Sequence, residues 1–156
     1  IIGISGTGKS ALGYRLTEKI KAPLYHMDSL IWGPNWTEQT ERQISFVLSK
    51  ISLTESWIIE GWIDDYSVPI LNQSDVVLYL DYPGWLAAWG GLQRWWKYRG
   101  KKRPEMPKDC IERFNLAFLY KILLRKERVH IENILSKVPG IRVIRIKSRP
   151  EMKNYL

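Results

Sequence analysis

The stretch IIGISGTGKSALGYRL, residues 1–16, runs from two isoleucines through Gly3, Gly6 and Gly8 into a lysine, a serine and a helix-like pattern. Within it, Gly3-Ile4-Ser5-Gly6-Thr7-Gly8-Lys9-Ser10 fits G-x-x-x-x-G-K-[ST] without a gap. An apolar strand precedes the turn, and Ala11, Leu12 and Leu16 set a helical period behind it. Glycines let the backbone curl with its N–H groups inward, and the start of a helix adds a positive dipole end. Such a turn holds phosphate mainly by backbone. Gly3, Ser5, Gly6, Thr7 and Gly8 are therefore the expected cradle for ATP, with Lys9 reaching its β- and γ-phosphates and the Ser10 hydroxyl on Mg²⁺.

A length of 156 residues suits one domain with a real core, so residues 1–156 read as a single unit. Only Ile1 and Ile2 precede Gly3, which is short for a strand, so the numbering is expected to begin inside one. Hydrophobic residues at 45% and charged residues at 26% are globular values and argue against disorder. No apolar run approaches the roughly 18 residues of a membrane span, and no membrane partner is expected. Cys110, the single cysteine, excludes an internal disulfide and a cysteine-cluster metal site, and points to a reducing, cytoplasmic home. The net charge of +8 favours anionic partners: nucleotides, phosphorylated metabolites or nucleic acid.

Apolar runs in APLYHMD, SWIIEG, DVVLYLD and IRVIRI read as further buried strands, the first three ending in Asp28, Glu60 and Asp81. Helical patterns lie between them, the clearest being Ile44, Val47, Leu48 and Ile51 behind Thr40 and Gln43 as a capping box. Alternating strands and helices predict an α/β fold with a parallel sheet covered on both faces. Ligands in such sheets bind beyond the carboxyl ends of the strands, so these acids should face the crevice into which the glycine turn opens. Glu60 is the expected second acidic group of the site, acting on Mg²⁺ or on the acceptor. Asp28 is placed on the acceptor side, where a carboxylate positions a hydroxyl or takes its proton. Asp81, just before Tyr82-Pro83, reads as a helix cap.

Residues from Tyr98 to Asp109 show no apolar period and read as an exposed flap, followed by one long helical pattern through ERFNLAFLYKILLRKERVHIENILSKV. Phosphoryl transfer spreads negative charge over the moving group, and mobile arginines commonly neutralise it as a site closes. Arg94, Arg99 and Arg103 bracket the flap, and Arg125 and Arg128 lie beyond it; Arg94 and Arg128 are the preferred catalytic pair. Of the eight tryptophans, Trp32, Trp36, Trp62, Trp95 and Trp96 are candidates for an aromatic wall, whereas Trp57, Trp85 and Trp89 read as cover for core edges. His26 and His130 lack paired ligand spacing and read as structural.

The order of GISGTGKS, HMDSLIW, WIIEGW, DVVLYLDYP, RGKKRPEMPKDCIERF and IRVIRIKSRPEM resembles the adenylate-kinase-like nucleotide kinases over nearly the whole chain. Among these it is most similar to the topology-modulation (FlaR-type) group. The resemblance implies a P-loop NTPase fold with a five-stranded parallel sheet, an ATP site at the turn, an acceptor-binding region at 28–53 and an arginine-bearing lid at 94–113. It implies a phosphotransferase. The chain departs from adenylate kinases where they carry an arginine just after an Asp-Gly pair, since GWIDDYSVPIL has acids and no arginine. DSLIWGPNW likewise lacks the arginine they place behind strand two. Both losses argue against AMP and for a less charged, hydroxylated acceptor. The alternative is a nucleic-acid-associated regulator whose ATP site is a switch, suggested by Trp95-Trp96 among basic residues.

Overall fold

The computed structural model describes residues 1–156 apart from Lys108, Arg113 and Leu156. Strand β1 (Ile2–Gly3) leads through the glycine turn into α1 (Lys9–Ile20). β2 (Leu24–His26), α2 (Met27–Ile31), α3 (Glu41–Ile51) and β3 (Ile58–Glu60) follow. Then come α4 (Val68–Leu71), β4 (Val77–Leu80) and α5 (Gly84–Tyr98). The chain closes with α6 (Leu116–Leu123), α7 (Lys126–Ser136), β5 (Val143–Ile146) and α8 (Arg149–Lys153).

The architecture is α/β, and every pairing between these strands is parallel. Where the sequence leads one to expect a single five-stranded sheet, the strands form a three-stranded sheet, β1-β4-β5, and a two-stranded one, β2-β3. Two backbone hydrogen bonds run between them: Ile1 N donates to Ile59 O at 2.6 Å, and Gly61 N donates to Ile1 O at 3.1 Å.

Alternation along β4 builds a core on each face of the larger sheet. Val77 and Tyr79 pack with Ala87 of α5, Ile122 of α6, and Ile131, Ile134 and Leu135 of α7. Leu80, on the other face, packs with Leu12 of α1 and Ile146, beside Met152 of α8. A third cluster joins α2 and α3 through Met27, Ile44 and Leu48, and Trp57 packs against it as expected.

The Thr40–Gln43 capping box forms as expected, each side chain accepting from the other residue's backbone N–H. The long helix expected after the flap is two helices, separated by Arg125 in the left-handed region at φ 54°. On one straight helix Ile122 and Ile131 would stand about half a turn out of phase. Both belong to the same core cluster, and the break lets both face the sheet.

Asp81 is not the expected cap. Pro83 is the N-cap of α5 with no side-chain hydrogen bond, while Asp81 is held by Arg125 and Arg128. Trp85 and Trp89 do not cover core edges either; both are exposed, because Gly84, Ala87 and Gly91 carry the buried face of α5. The flap is less exposed than its composition suggests. Arg103, Met106 and Cys110 are buried, and the Cys110 thiol donates to Gly33 O at 3.4 Å. These residues enter the interior singly from turns, so no apolar period marks them. The expected lid at 94–113 includes Lys108 and Arg113, which lie outside the described residues.

Candidate functional site

The glycine turn opens on a cavity of about 310 Å³ at the carboxyl ends of the strands. Gly6 and Gly8 take φ of 83° and 91°, a backbone region that side chains resist, which is why the curl needs glycine. Gly3, Ser5, Gly6, Gly8, Lys9 and Ser10 line one wall. Thr7 sits beneath them, buried, its hydroxyl donating to Ile4 O at 2.8 Å and tying the turn to the strand.

Lys9 Nζ donates to Gly3 O at 2.9 Å and Ile4 O at 3.2 Å, folding its ammonium back over the turn. Burial lowers its pKa, against the opposing pull of Glu60, Asp28 and Glu127. A desolvated ammonium on a cavity wall gains from an arriving polyanion, so this donor set fits a triphosphate. Ser10 and Glu60 add hard oxygen donors to the same lining, of the kind Mg²⁺ takes beside phosphate and water. Among the described residues no group of three or more His, Cys, Asp or Glu side chains gathers as an all-protein metal cage.

Asp28, Glu60, Arg94 and Arg103 line the same cavity with Trp62, Gln93, Lys97, Tyr98 and Glu105. Asp28 falls in the first turn of α2 rather than on the strand end, and its carboxylate accepts from Arg103 Nη1 at 3.1 Å. Of the expected acceptor region 28–53, Asp28 is the residue that reaches this lining. Glu60 ends β3 as expected, buried, and pairs with His26 at 2.6 Å. That hydrogen bond chiefly raises the His26 pKa, against desolvation.

Glu112 joins the two arginines of the cavity. Its Oε1 accepts from Arg94 Nε at 3.1 Å, and its Oε2 lies 2.9 Å from Arg103 Nε, close enough to pair but off line for a hydrogen bond. Glu127 of α7, also buried, accepts from Ser5 N at 2.9 Å and fixes the turn from below.

Two expected arginines are held elsewhere. Arg128 pairs with Asp81 at 3.1 Å and Glu132 at 3.4 Å, and Arg99 lies over the Trp95 and Trp96 rings. Of the expected aromatic wall, Trp62 reaches the cavity, stacked on His130 at 4.8 Å, whereas Trp32 packs edge-on against Trp36. His26, read as structural, touches the site through Glu60.

Sequence reasoning missed Glu112, Glu127 and Gly90. Only Gly90 left a signal, since a Gly-Gly pair inside a helical pattern marks a close backbone approach. A larger cavity of about 460 Å³, lined by Ile1, Leu16, Ile20 and Trp57 among others, has no Lys, Arg or His side chain among its described lining residues. No protein-family model and no curated protein matches the chain.

Proposed function

We propose that this chain is an ATP-dependent, Mg²⁺-requiring phosphotransferase of the adenylate-kinase-like P-loop kind, acting on a hydroxylated small molecule or nucleotide. The supporting observation is one cavity in which the Gly3–Ser10 turn and Lys9 face the Asp28–Arg103 pair, with Glu112 tying Arg103 to Arg94. The two hydrogen bonds at Ile1 support a single five-stranded sheet in the order β2-β3-β1-β4-β5. Its carboxyl edge would then gather β1, β2 and β3 around the cavity. A cytoplasmic home belongs to the same reading.

Backbone N–H groups of the turn hold the phosphates, and Lys9 leaves the Gly3 and Ile4 carbonyls to meet them. Mg²⁺, held by Ser10 with Glu60 nearby, would screen the charge of the triphosphate. Arg94 and Arg103 stabilise negative charge on the transferring group. Asp28, freed from Arg103, orients the attacking hydroxyl and accepts its proton. One carboxylate flanked by a single buried arginine suits a neutral hydroxyl better than a second phosphate.

Incubation with Mg-ATP and a panel of nucleosides, nucleotides, sugars and amino alcohols tests the reading. A phosphorylated product that Lys9→Ala abolishes, with its fold intact by circular dichroism, supports it. No product and no Lys9-dependent ATP binding would end it. The nucleic-acid-associated alternative draws on Arg99, which lies 5.4 Å over the exposed Trp96 ring, with Lys101 and Lys102 close behind in sequence. It requires binding that weakens steeply with salt.

A further inference from the structure

The antiparallel pair α5 and α6 leaves one broad apolar face uncovered by the described residues. Gly84 and Gly91 of α5 lie against Leu123, Ile122 and Leu119 of α6, and Trp95 meets Phe114 just before it, at 4.8 Å between ring centroids. About 100° around α5 from that seam stand Trp85, Trp89 and Trp96, at i, i+4 and i+11. Leu116, Tyr120 and Leu123 stand about as far around α6, and the antiparallel arrangement brings both stripes to the same side. The tryptophans are 66%, 53% and 71% exposed, and the α6 residues 68%, 58% and 46%.

None of these six side chains is charged. Together they expose roughly 800 Å², more than the largest patch of a typical monomer and about what each partner gives to an ordinary stable interface.

We infer that this face is an isologous dimer interface, its occupant the same face of a second copy of this chain. Two uncharged faces of matching area are self-complementary under a two-fold axis. A lipid surface or nucleic acid would be chosen instead if charge ran along the face; among the described residues one cation–ring contact reaches it, the Arg99 guanidinium over the Trp96 ring at the flap end. Residues 84–126 hold eleven basic and three acidic side chains, so the whole net charge of +8 falls on this hairpin and the flap inside it. Among the described residues Lys101 and Lys102 belong to the flap end and Lys121 turns away from the α6 stripe, while Arg99 meets the α5 stripe at its flap-end ring, Trp96.

Opposite helix directions across the axis would place the two flaps at opposite ends. Residual repulsion between them makes the dimer stronger as salt rises. An anionic partner would show the reverse dependence.

The test is sedimentation equilibrium of the full chain at micromolar concentration in low and high salt. The expected result is twice the monomer mass, with a dissociation constant that falls or holds as salt rises. Trp89→Glu and, separately, Tyr120→Glu alter exposed side chains and should keep the circular-dichroism spectrum. Each should weaken the dimer roughly 100-fold or more, because both copies carry the change. A blue shift of tryptophan emission with concentration in the wild type, absent from Trp89→Glu, would report the same burial. A wild-type monomer at all salts overturns the inference, as does a dimer that both variants retain. Salt-sensitive binding to anionic vesicles or DNA that Trp89→Glu abolishes, with no self-association, overturns it in favour of that partner.

Discussion

Gly90 of α5 lies against the Gly6 carbonyl so closely that a methyl group on it would stand 2.1 Å from the oxygen. Gly6 faces the same helix: a methyl there would stand 2.1 Å from Ala87 O, and its φ of 83° already disfavours one. The phosphate turn and α5 are thus packed backbone to backbone, and neither can shift alone.

Gly90→Ala should therefore act on both stability and ligand binding. The added methyl meets backbone, which cannot swing away, so overpacking costs about 2–3 kcal/mol. The turn must distort to receive it, and ATP affinity should fall at least in step. Gly140→Ala is the control, since nothing lies within 4 Å of its added methyl. Calorimetric titration with ATP alongside thermal melts checks this; unchanged ATP affinity in Gly90→Ala would refute the coupling.

This contact also marks where the sequence stopped being legible. The turn, the order of strands and helices and the Thr40 capping box follow from local rules, because each rests on residues within one turn or one period. Glu60 was legible for the same reason, as the acid that ends a buried strand. Glu112 and Glu127 were not: they meet Arg94 and Ser5 at separations of 18 and 122 residues, and nothing local marks either glutamate. Arg128 failed in the opposite sense. Its type suited the chemistry, but Asp81, 47 residues away, holds it outside the cavity lining.

Glu112→Gln should separate the two arginines it joins. Glutamine keeps the size but removes the charge that Arg94 and Arg103 share, so both lose their fixed aim into the cavity. The expected effect is a fall in kcat of about 10- to 100-fold with a smaller change in KM for ATP, whose phosphates rest on the turn. Glu112→Asp, which keeps the charge, should recover part of the rate. Equal losses in both variants with unchanged melting would count against this positioning role.

His26 gives the site a pH signature. Its hydrogen bond to Glu60 raises its pKa above the ordinary value of 6.5, despite some desolvation. A histidine whose folded pKa is raised contributes stability that is complete below the unfolded value and lost as pH rises through the folded one. Melting temperature should therefore decline from just above pH 6.5 upward by an amount that His26→Gln removes. Parallel profiles for wild type and variant would show that the pair contributes nothing to stability.

Asp81 supplies the sharpest separation of stability from catalysis. Its carboxylate is 8% exposed and pairs with Arg125, with Arg128 at 3.1 Å and with Arg145 at 3.7 Å. Burial alone would raise its pKa, but the Arg128 hydrogen bond and the Arg125 charge together outweigh it, so the net shift is downward. A depressed carboxyl pKa contributes stability that is present above the unfolded value, 3.8, and lost as pH falls through the folded one. Asp81→Asn should remove that acid-range slope. It should also cost about 2 kcal/mol at neutral pH, below the figure for a fully buried pair because the arginines are partly solvated. Turnover per folded molecule should persist, since the cluster stands apart from the cavity lining. Denaturant melts from pH 3 to 8, with rates normalised to the folded fraction, check both halves. A variant that stays folded but loses turnover would return Arg125 or Arg128 to the catalytic machinery.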